Sequence, residues 1–326
     1  MIITKTPFRM SFFGGGTDME SFFREYGGAV LSTTFDKYCY VNVRHLPPFF
    51  SYATELSYAK TERVNSLEEI EHPAIRNAMK MLDMHHIRLT YEADLPARSG
   101  LGTSSSFAVG MLNAFYALKG QYASKEKLAK EAIYLERVLC AEAGGWQDQV
   151  GGLAPGIKMV TSDAAIVQEI GCSPCSISTE TLQELNERFC LIYSGQRRLA
   201  RNLLRDIVSR YVSGNPDTVE VLYEIQRIAV LMRFELEKGN VDGFAQLLNQ
   251  HWELSRRLDG GCTNTCIDMI FSSVEDLIDG KMICGAGGGG FLQVILKKGV
   301  TAEQVQKRLR EVFQDSGVEV WRCSLV

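Results

Sequence analysis

The chain has 326 residues, enough for about two domains that each bury a core, which excludes a mini-protein or one small module. A content of 45% hydrophobic and 23% charged residues, with only 8 prolines, excludes long disorder and collagen-like repeats. The formal charge of -4 provides no global basic surface for nucleic acid, so any anion site has to be built locally.

Nine cysteines, an odd number scattered along the chain, do not form a secreted disulfide framework and point to a reducing, cytoplasmic location. Lys5 and Arg9 interrupt the apolar N-terminal residues, so no export signal is expected. The uncharged run 100–118 is nearly as long as a membrane span, but its first third holds Gly100, Gly102, Thr103 and three serines. It reads as a polar loop feeding a helix, and no membrane partner is expected.

In chain order, the pattern predicts a helix over 19–26, strands over 29–35 and 38–44, a helix over 73–84 and a strand over 87–91. A helix is predicted from Thr103 to Leu118, and another from the N-cap Ser124 to Cys140, ended by Gly144-Gly145. Short strands follow over 158–161 and 165–170, then a linker holding Cys172, Pro174 and Cys175. From 181 the texture becomes helix-rich: a strand over 189–193, helices over 196–211, 216–238, 241–257 and 264–278, a strand over 282–284 and a glycine run. The chain closes with a strand over 291–296, a helix over 302–314 and a strand over 318–323. These elements predict an α+β chain with domains 1–180 and 181–326, the second packing a sheet against helices.

Three glycine-rich segments stand out. Pro96-Ala-Arg-Ser-Gly100-Leu101-Gly102-Thr103-Ser104-Ser105-Ser106 opens a helix, where free backbone N–H groups favour phosphate; a loop capped by hydroxyls also fits. No lysine follows as a Walker loop requires. Cys284-Gly-Ala-Gly-Gly287-Gly288-Gly-Gly290 contains a G-x-G-x-x-G spacing, but a strand follows it rather than a helix, so it is no dinucleotide fingerprint. It fits either a close backbone approach to another loop or to substrate, or a tight hairpin. Thr6-Pro-Phe-Arg9-Met-Ser-Phe-Phe-Gly14-Gly15-Gly16-Thr17-Asp18 sets a cation, three glycines and a carboxylate after a strand; alone, Arg9 reads as a solvated charge and Asp18 as a helix cap.

In this order and spacing, the three segments resemble the motifs of the GHMP small-molecule kinases. The middle one matches the family's phosphate loop P-x-x-x-G-L-G-S-S, with Thr103 in place of the first serine. The run TPFRMSFFGGGTD together with GAGGGGFL is similar to the D-glycero-D-manno-heptose 7-phosphate kinases of that superfamily. The resemblance implies a two-domain fold, an N-terminal β/α domain with the phosphate loop and a C-terminal ferredoxin-like α/β sandwich. It implies ATP and Mg²⁺ as cofactors and phosphorylation of the anomeric hydroxyl of D-glycero-D-manno-heptose 7-phosphate to the 1,7-bisphosphate, toward nucleotide-activated heptose and surface glycans. Another sugar 1-kinase of the fucose, arabinose or galactose type, a catalytically silent sugar or nucleotide sensor, and an ATP-dependent decarboxylase are the alternatives.

Phosphoryl transfer asks for a phosphate cradle, a bridging cation, a positioned hydroxyl and charge neutralisation. By the resemblance, Gly100, Leu101, Gly102, Thr103, Ser104 and Ser105 cradle ATP, and Ser104 with Glu136 holds Mg²⁺. Glu136 has no cation three or four residues away on its helix, which excludes a helix-face ion pair; a solvated charge is its other reading. The segment Gly145-Trp-Gln-Asp148-Gln resembles the family's catalytic loop, making Asp148 the group that takes the hydroxyl proton and Arg9 its cationic partner. Gly15, Gly16, Thr17, Asp18, Gly287 and Gly288 are expected at the substrate; galactokinases carry Glu-His where this chain has Gly15-Gly16, which removes those sugar contacts. Arg197, Arg201 and Arg205 recur every four residues beside Arg198, a basic helix face from which Arg198 and Arg201 are expected to bind a sugar phosphate by forked contacts. The irregular pair Cys172-x-x-Cys175 and Cys262-x3-Cys266 makes a poor zinc site, and no H-E-x-x-H or G-x-S-x-G occurs. The sequence does not fix an oligomeric state.

Overall fold

The computed structural model describes residues 1–97, 99–165, 169–196 and 203–325. Among these, strands β1 (Ile2–Phe13), β2 (Gly28–His45), β3 (Thr54–Ser57), β4 (Thr61–Val64), β5 (Ile87–Ala93), β6 (Lys158–Ser162) and β7 (Ile170–Pro174) form one mixed sheet in the order β4-β3-β5-β2-β6-β7, with β1 also on β2. Only β3 and β5 run parallel. Helices α1 (Glu20–Tyr26), α2 (Pro73–Met81), α3 (Thr103–Leu118), α4 (Lys125–Tyr134) and the one-turn α5 (Gln147–Gly151) are threaded between these strands.

The strand predicted as two segments over 29–44 is one 18-residue strand. Its first residues pair with β6 and its last with β5, while β1 runs along the other edge. The charged Asp36-Lys37 pair that breaks the apolar pattern lies between those two pairings, where Asp36 N–H donates to the Ser324 carbonyl and Asp36 Oδ1 accepts from Ser324 N–H. Cys172 and Pro174, expected in a linker, belong to the edge strand β7, whose outer side needs no N–H from proline. Helix α4 is capped by Ser124 as predicted, but after Tyr134 it widens into a π turn over Leu135–Leu139.

The remaining elements are α6 (Thr179–Arg188), β8 (Phe189–Ser194), α7 (Leu203–Val212), α8 (Pro216–Glu237), α9 (Val241–Leu258), α10 (Thr265–Val274), β9 (Ile278–Ile283), β10 (Phe291–Leu296), α11 (Ala302–Phe313) and β11 (Val318–Trp321). Strands β8–β11 form an antiparallel sheet in the order β11-β8-β10-β9. Helix α10 stops at Val274, short of the predicted 278, because Glu275–Leu277 tighten into a 3₁₀ turn and release Ile278 to open β9.

One hydrophobic core joins the two sheets. Phe12 of β1 meets Phe189 of β8 and Phe244 of α9 edge-on, at centroid distances of 6.0 and 5.2 Å. Phe13, Phe22, Leu222 and Phe291 are buried in the same cluster. Such aromatic pairs each contribute roughly 0.5–1.5 kcal/mol beyond their area burial. The first glycine motif therefore leaves β1 directly at the seam between the halves. No helix of the described residues is long and apolar enough to cross a membrane.

Candidate active site

Helix α3 begins at Gly102 without a side-chain cap, so the first-turn N–H groups have no capping partner from the chain's own side chains. The positive end of a 16-residue helix thus faces a cavity of about 420 Å³ at the seam. Leu101 is buried in the core and anchors the loop, while Gly100, Gly102, Thr103, Ser104 and Ser105 line the cavity.

Gly100 is held at φ +84°, and a Cβ there would sit 2.4 Å from the Cys284 carbonyl oxygen. The third glycine segment reaches back in the same way: a Cβ on Gly290 would lie 2.6 Å from the Ser99 carbonyl, and Phe291 N–H donates to that carbonyl at 3.3 Å. The glycine run therefore serves a backbone-to-backbone approach between the two loops. Gly285 and Ala286 line the cavity; Gly287 and Gly288 turn instead against Cys262, whose carbonyl accepts from Gly288 N–H at 2.8 Å. Gly100→Ala is expected to force the loops apart, with backbone strain of about 1–3 kcal/mol and a clash in addition. Its Tm should fall and its ATP KM should rise at least about tenfold; a variant that keeps both wild-type values would show that the loop contact is incidental.

Arg9, on β1, is 4% exposed, and its Nε donates to Asp148 Oδ1 at 2.7 Å while a second guanidinium nitrogen closes on the same oxygen. No other group among the described residues bonds Asp148 Oδ2. Glu136, 1% exposed, accepts from Ser104 Oγ at 2.9 Å, Ser105 Oγ at 2.7 Å and Gln149 Nε2 at 2.5 Å. Glu136 follows the buried Ala132 and Ala129 by four and seven residues, so the helix face that carries them turns its carboxylate into the cavity, while the π turn over 135–139 leaves Val138 and Leu139 at the surface. Hard oxygen donors beside a phosphate-seeking helix end fit Mg²⁺, which takes one or two carboxylates and leaves its other positions to phosphates and water. Ser104 and Glu136 are the residues that would hold it.

Asp18, expected at the substrate, lines the cavity but does not cap α1; Met19 occupies the cap position with no side-chain hydrogen bond. Its Oδ1 accepts from Gly16 N–H at 3.1 Å and Gln147 Nε2 at 3.0 Å, and its Oδ2 from Gln147 N–H at 3.2 Å. Gly145 is required beside it, since a Cβ there would fall 2.0 Å from Asp18 Oδ2. Gln147 also accepts from Ser11 Oγ at 2.6 Å, so Ser11, Gln147 and Asp18 lock the first motif to the loop bearing Asp148. Gln147, Gln149 and Ser11 are members of the site that sequence reasoning did not single out; the adjacency of both glutamines to Asp148 is the signal that marks two of them. Gly15 and Gly16 line the cavity, whereas Thr17 is fully buried and bonds the carbonyls of Gly14 and Ala29. Arg197, Arg198, Arg201 and the Arg205 side chain lie outside the described residues. All nine cysteines are free thiols.

Burial, and then the nearby Asp148 charge, raise the Asp18 carboxyl above its ordinary range. A carboxyl raised in the folded state binds its proton more tightly there than in the unfolded chain, so folding is favoured by protonation and disfavoured as pH climbs through the raised value. Asp18→Asn should therefore gain in Tm relative to wild type as pH rises from about 4 toward neutrality. Paired calorimetric scans across that range check it, and a difference independent of pH would contradict the assignment.

The pattern of the GHMP kinases N terminal domain matches residues 68–154, and that of the GHMP kinases C terminal domain matches residues 232–315, together more than half the chain. The chain belongs to the GHMP kinases. A D-glycero-alpha-D-manno-heptose 7-phosphate kinase of Campylobacter jejuni is 25% identical over 98% of this chain and 99% of its own length. A bifunctional fucokinase/GDP-fucose pyrophosphorylase of Arabidopsis thaliana is 32% identical over 72% of this chain, which spans 22% of that longer protein. The crystal structure of a D-glycero-D-manno-heptose 1-phosphate kinase from Bacteroides thetaiotaomicron superposes with a TM-score of 0.78 over 100% of this chain and 96% of that one, at 20% identity. The two-domain kinase fold expected from the three motifs is the fold observed.

Proposed function

We propose that this GHMP kinase transfers the γ-phosphoryl group of ATP to a sugar hydroxyl, and that the sugar is a heptose 7-phosphate accepting at its anomeric hydroxyl. The observation that carries the reading is the Arg9–Asp148 pair. Both guanidinium contacts fall on Oδ1, which leaves Oδ2 able to take a proton beside an uncapped helix end.

In the reaction, the acceptor oxygen forms a bond to the γ-phosphorus as the bond to the ADP bridging oxygen breaks, and the hydroxyl proton passes to Asp148 Oδ2. Arg9 holds the carboxylate in place and, as a buried cation, offsets the growing charge on the phosphoryl group. Backbone N–H groups of 102–105 bind the phosphates. Ser104 and Glu136 would hold a Mg²⁺ ion, which would supply charge neutralisation on the phosphates. Ser11, Gln147 and Asp18 set the position of the loop that carries Asp148.

The heptose reading draws support from a relative matched along its whole length. A second reading, L-fucose, draws on the higher identity to bifunctional relatives with a fucokinase activity in their names. Phosphorus NMR of reactions with Mg²⁺-ATP and each sugar separates them. A new anomeric phosphate resonance with heptose 7-phosphate alone supports the first reading, the same with fucose alone supports the second, and no turnover with any sugar rejects both.

A further inference from the structure

Arg137, the residue after Glu136, is half-buried on the cavity wall and pairs with no carboxylate among the described residues. Its guanidinium bonds main-chain carbonyls instead: Nε donates to Gly145 at 3.0 Å, and Nη1 is shared between Glu142 at 3.3 Å and Ala143 at 3.4 Å. We propose that Arg137 is a positioning residue for phosphoryl transfer, holding the strap 142–145 in the one course that sets Asp148 against the phosphate loop. The inference rests on the reading of Asp148 as the base and deepens it.

The strap joins the two parts of the chemistry, since it starts beside the carboxylate that would hold the metal and ends just before the base. At its start, Ala141 takes a left-handed φ of +51° and Glu142 N–H donates back to the Glu136 carbonyl at 2.9 Å. At its far end, Gly145 lies against the Asp18 carboxylate, which also accepts from Gln147 N–H and the Gln147 side chain. Residues 141–145 belong to no helix or strand, and the carbonyls of 142, 143 and 145 have no other donor among the described residues. Backbone that lacks a ladder of its own has to be fixed by side chains, and a planar guanidinium with donors in a rigid fork can hold several carbonyls at once.

The two consecutive glycines follow from the same arrangement. A Cβ on Gly144, held at φ +152°, would lie 2.8 Å from Arg137 Cζ, and one on Gly145 would lie 2.0 Å from Asp18 Oδ2. The strap is thus pressed between a cation on one side and a carboxylate on the other, and only glycine fits at both contacts. Arg137 and 142–145 also line a second, wider cavity bordered by α1 and α7, so the strap is a partition with open space on each side. Packing supports such a segment little, and its course depends on its hydrogen bonds.

The test uses the full chain with Arg137→Lys, which keeps the charge and loses the fork, and Arg137→Gln, which loses both. Initial rates with Mg²⁺-ATP and the sugar that the wild type accepts are measured alongside Tm, with amide hydrogen exchange followed by mass spectrometry. Both variants should lower kcat at least about tenfold while the ATP and acceptor KM values stay within about threefold. Exchange over 142–148 should quicken at least about tenfold, with the rest of the chain unchanged. Wild-type exchange over 142–148 in both variants overturns the proposal. A wild-type kcat in Arg137→Lys does so too, by making the charge rather than the fork the working property, and a loss confined to KM makes Arg137 a ligand contact instead. Faster exchange throughout the chain with a lowered Tm makes it a general stability element, which also overturns the proposal. Asp148→Asn, run in parallel, separates this inference from the reading beneath it. If Asp148→Asn loses activity while both Arg137 variants keep theirs, only this inference falls; if Asp148→Asn keeps the wild-type kcat, or the wild type turns over no sugar, the reading falls and takes this inference with it.

Discussion

Asp148→Asn is expected to lower kcat by about 10²–10⁴-fold, the range over which a positioned general base acts. The variant keeps the shape of the side chain and an oxygen for Arg9, and removes both the proton acceptor and the charge that pairs the buried guanidinium, so Tm is measured alongside the rates. Both KM values should stay within about threefold of wild type, because ground-state binding rests on the helix end and on the cavity walls. Steady-state rates against ATP and acceptor separate the two effects. A kcat within threefold of wild type would assign proton transfer to solvent and leave Asp148 as a tether for Arg9. The paired change Arg9→Lys keeps the charge but loses the double contact on Oδ1, and should lower kcat less than Asp148→Asn.

The second large effect belongs to Glu136→Gln. Three donors converge on this carboxylate, and an amide group in its place cannot accept at one of the two positions. With the amide oxygen kept toward Ser105 and Gln149 and the amide nitrogen toward the exposed Ser104 hydroxyl, which can turn to accept, charge-assisted hydrogen bonds become neutral ones and Tm falls. The loss of the charge should also raise the Mg²⁺ concentration that gives half-maximal rate by about 10–100-fold, the size seen when metal-site groups are removed. Titrating Mg²⁺ at saturating ATP and acceptor reads this directly. An unchanged Mg²⁺ requirement with a lowered Tm would make Glu136 a clamp on the phosphate loop and nothing more.

The motifs were legible because glycine and small hydroxyl residues announce close backbone approach and free N–H groups in any context. Helix α3 was bounded correctly for the same reason: Gly102 and the hydroxyl run mark its start, and the apolar run sets its length. The long strand β2 was not legible, since a charged pair at 36–37 interrupts its pattern and the pairing that explains it comes from a segment almost three hundred residues away. Glu136 was visible as a carboxylate without a helical partner, but not its three donors. Spacing from the buried Ala129 and Ala132 turns its side chain inward, but the donors come from the phosphate loop and from the loop bearing Asp148, which no local period connects to it. Asp18 was read as a substrate group or a helix cap, and its role in holding Gln147 depends on a loop that no local pattern predicts.

The aromatic seam has a consequence for how the chain is made. Phe12, Phe13 and Phe22 leave the ribosome long before Phe189, Leu222, Phe244 and His251, which cover them: even Phe189 follows Phe22 by 167 residues. For most of synthesis the nascent first half therefore carries a wet, sticky aromatic face. Chaperone demand should peak in that interval and drop when α9 emerges, and a ribosome pause placed before α9 should reduce soluble yield more than the same pause placed after it.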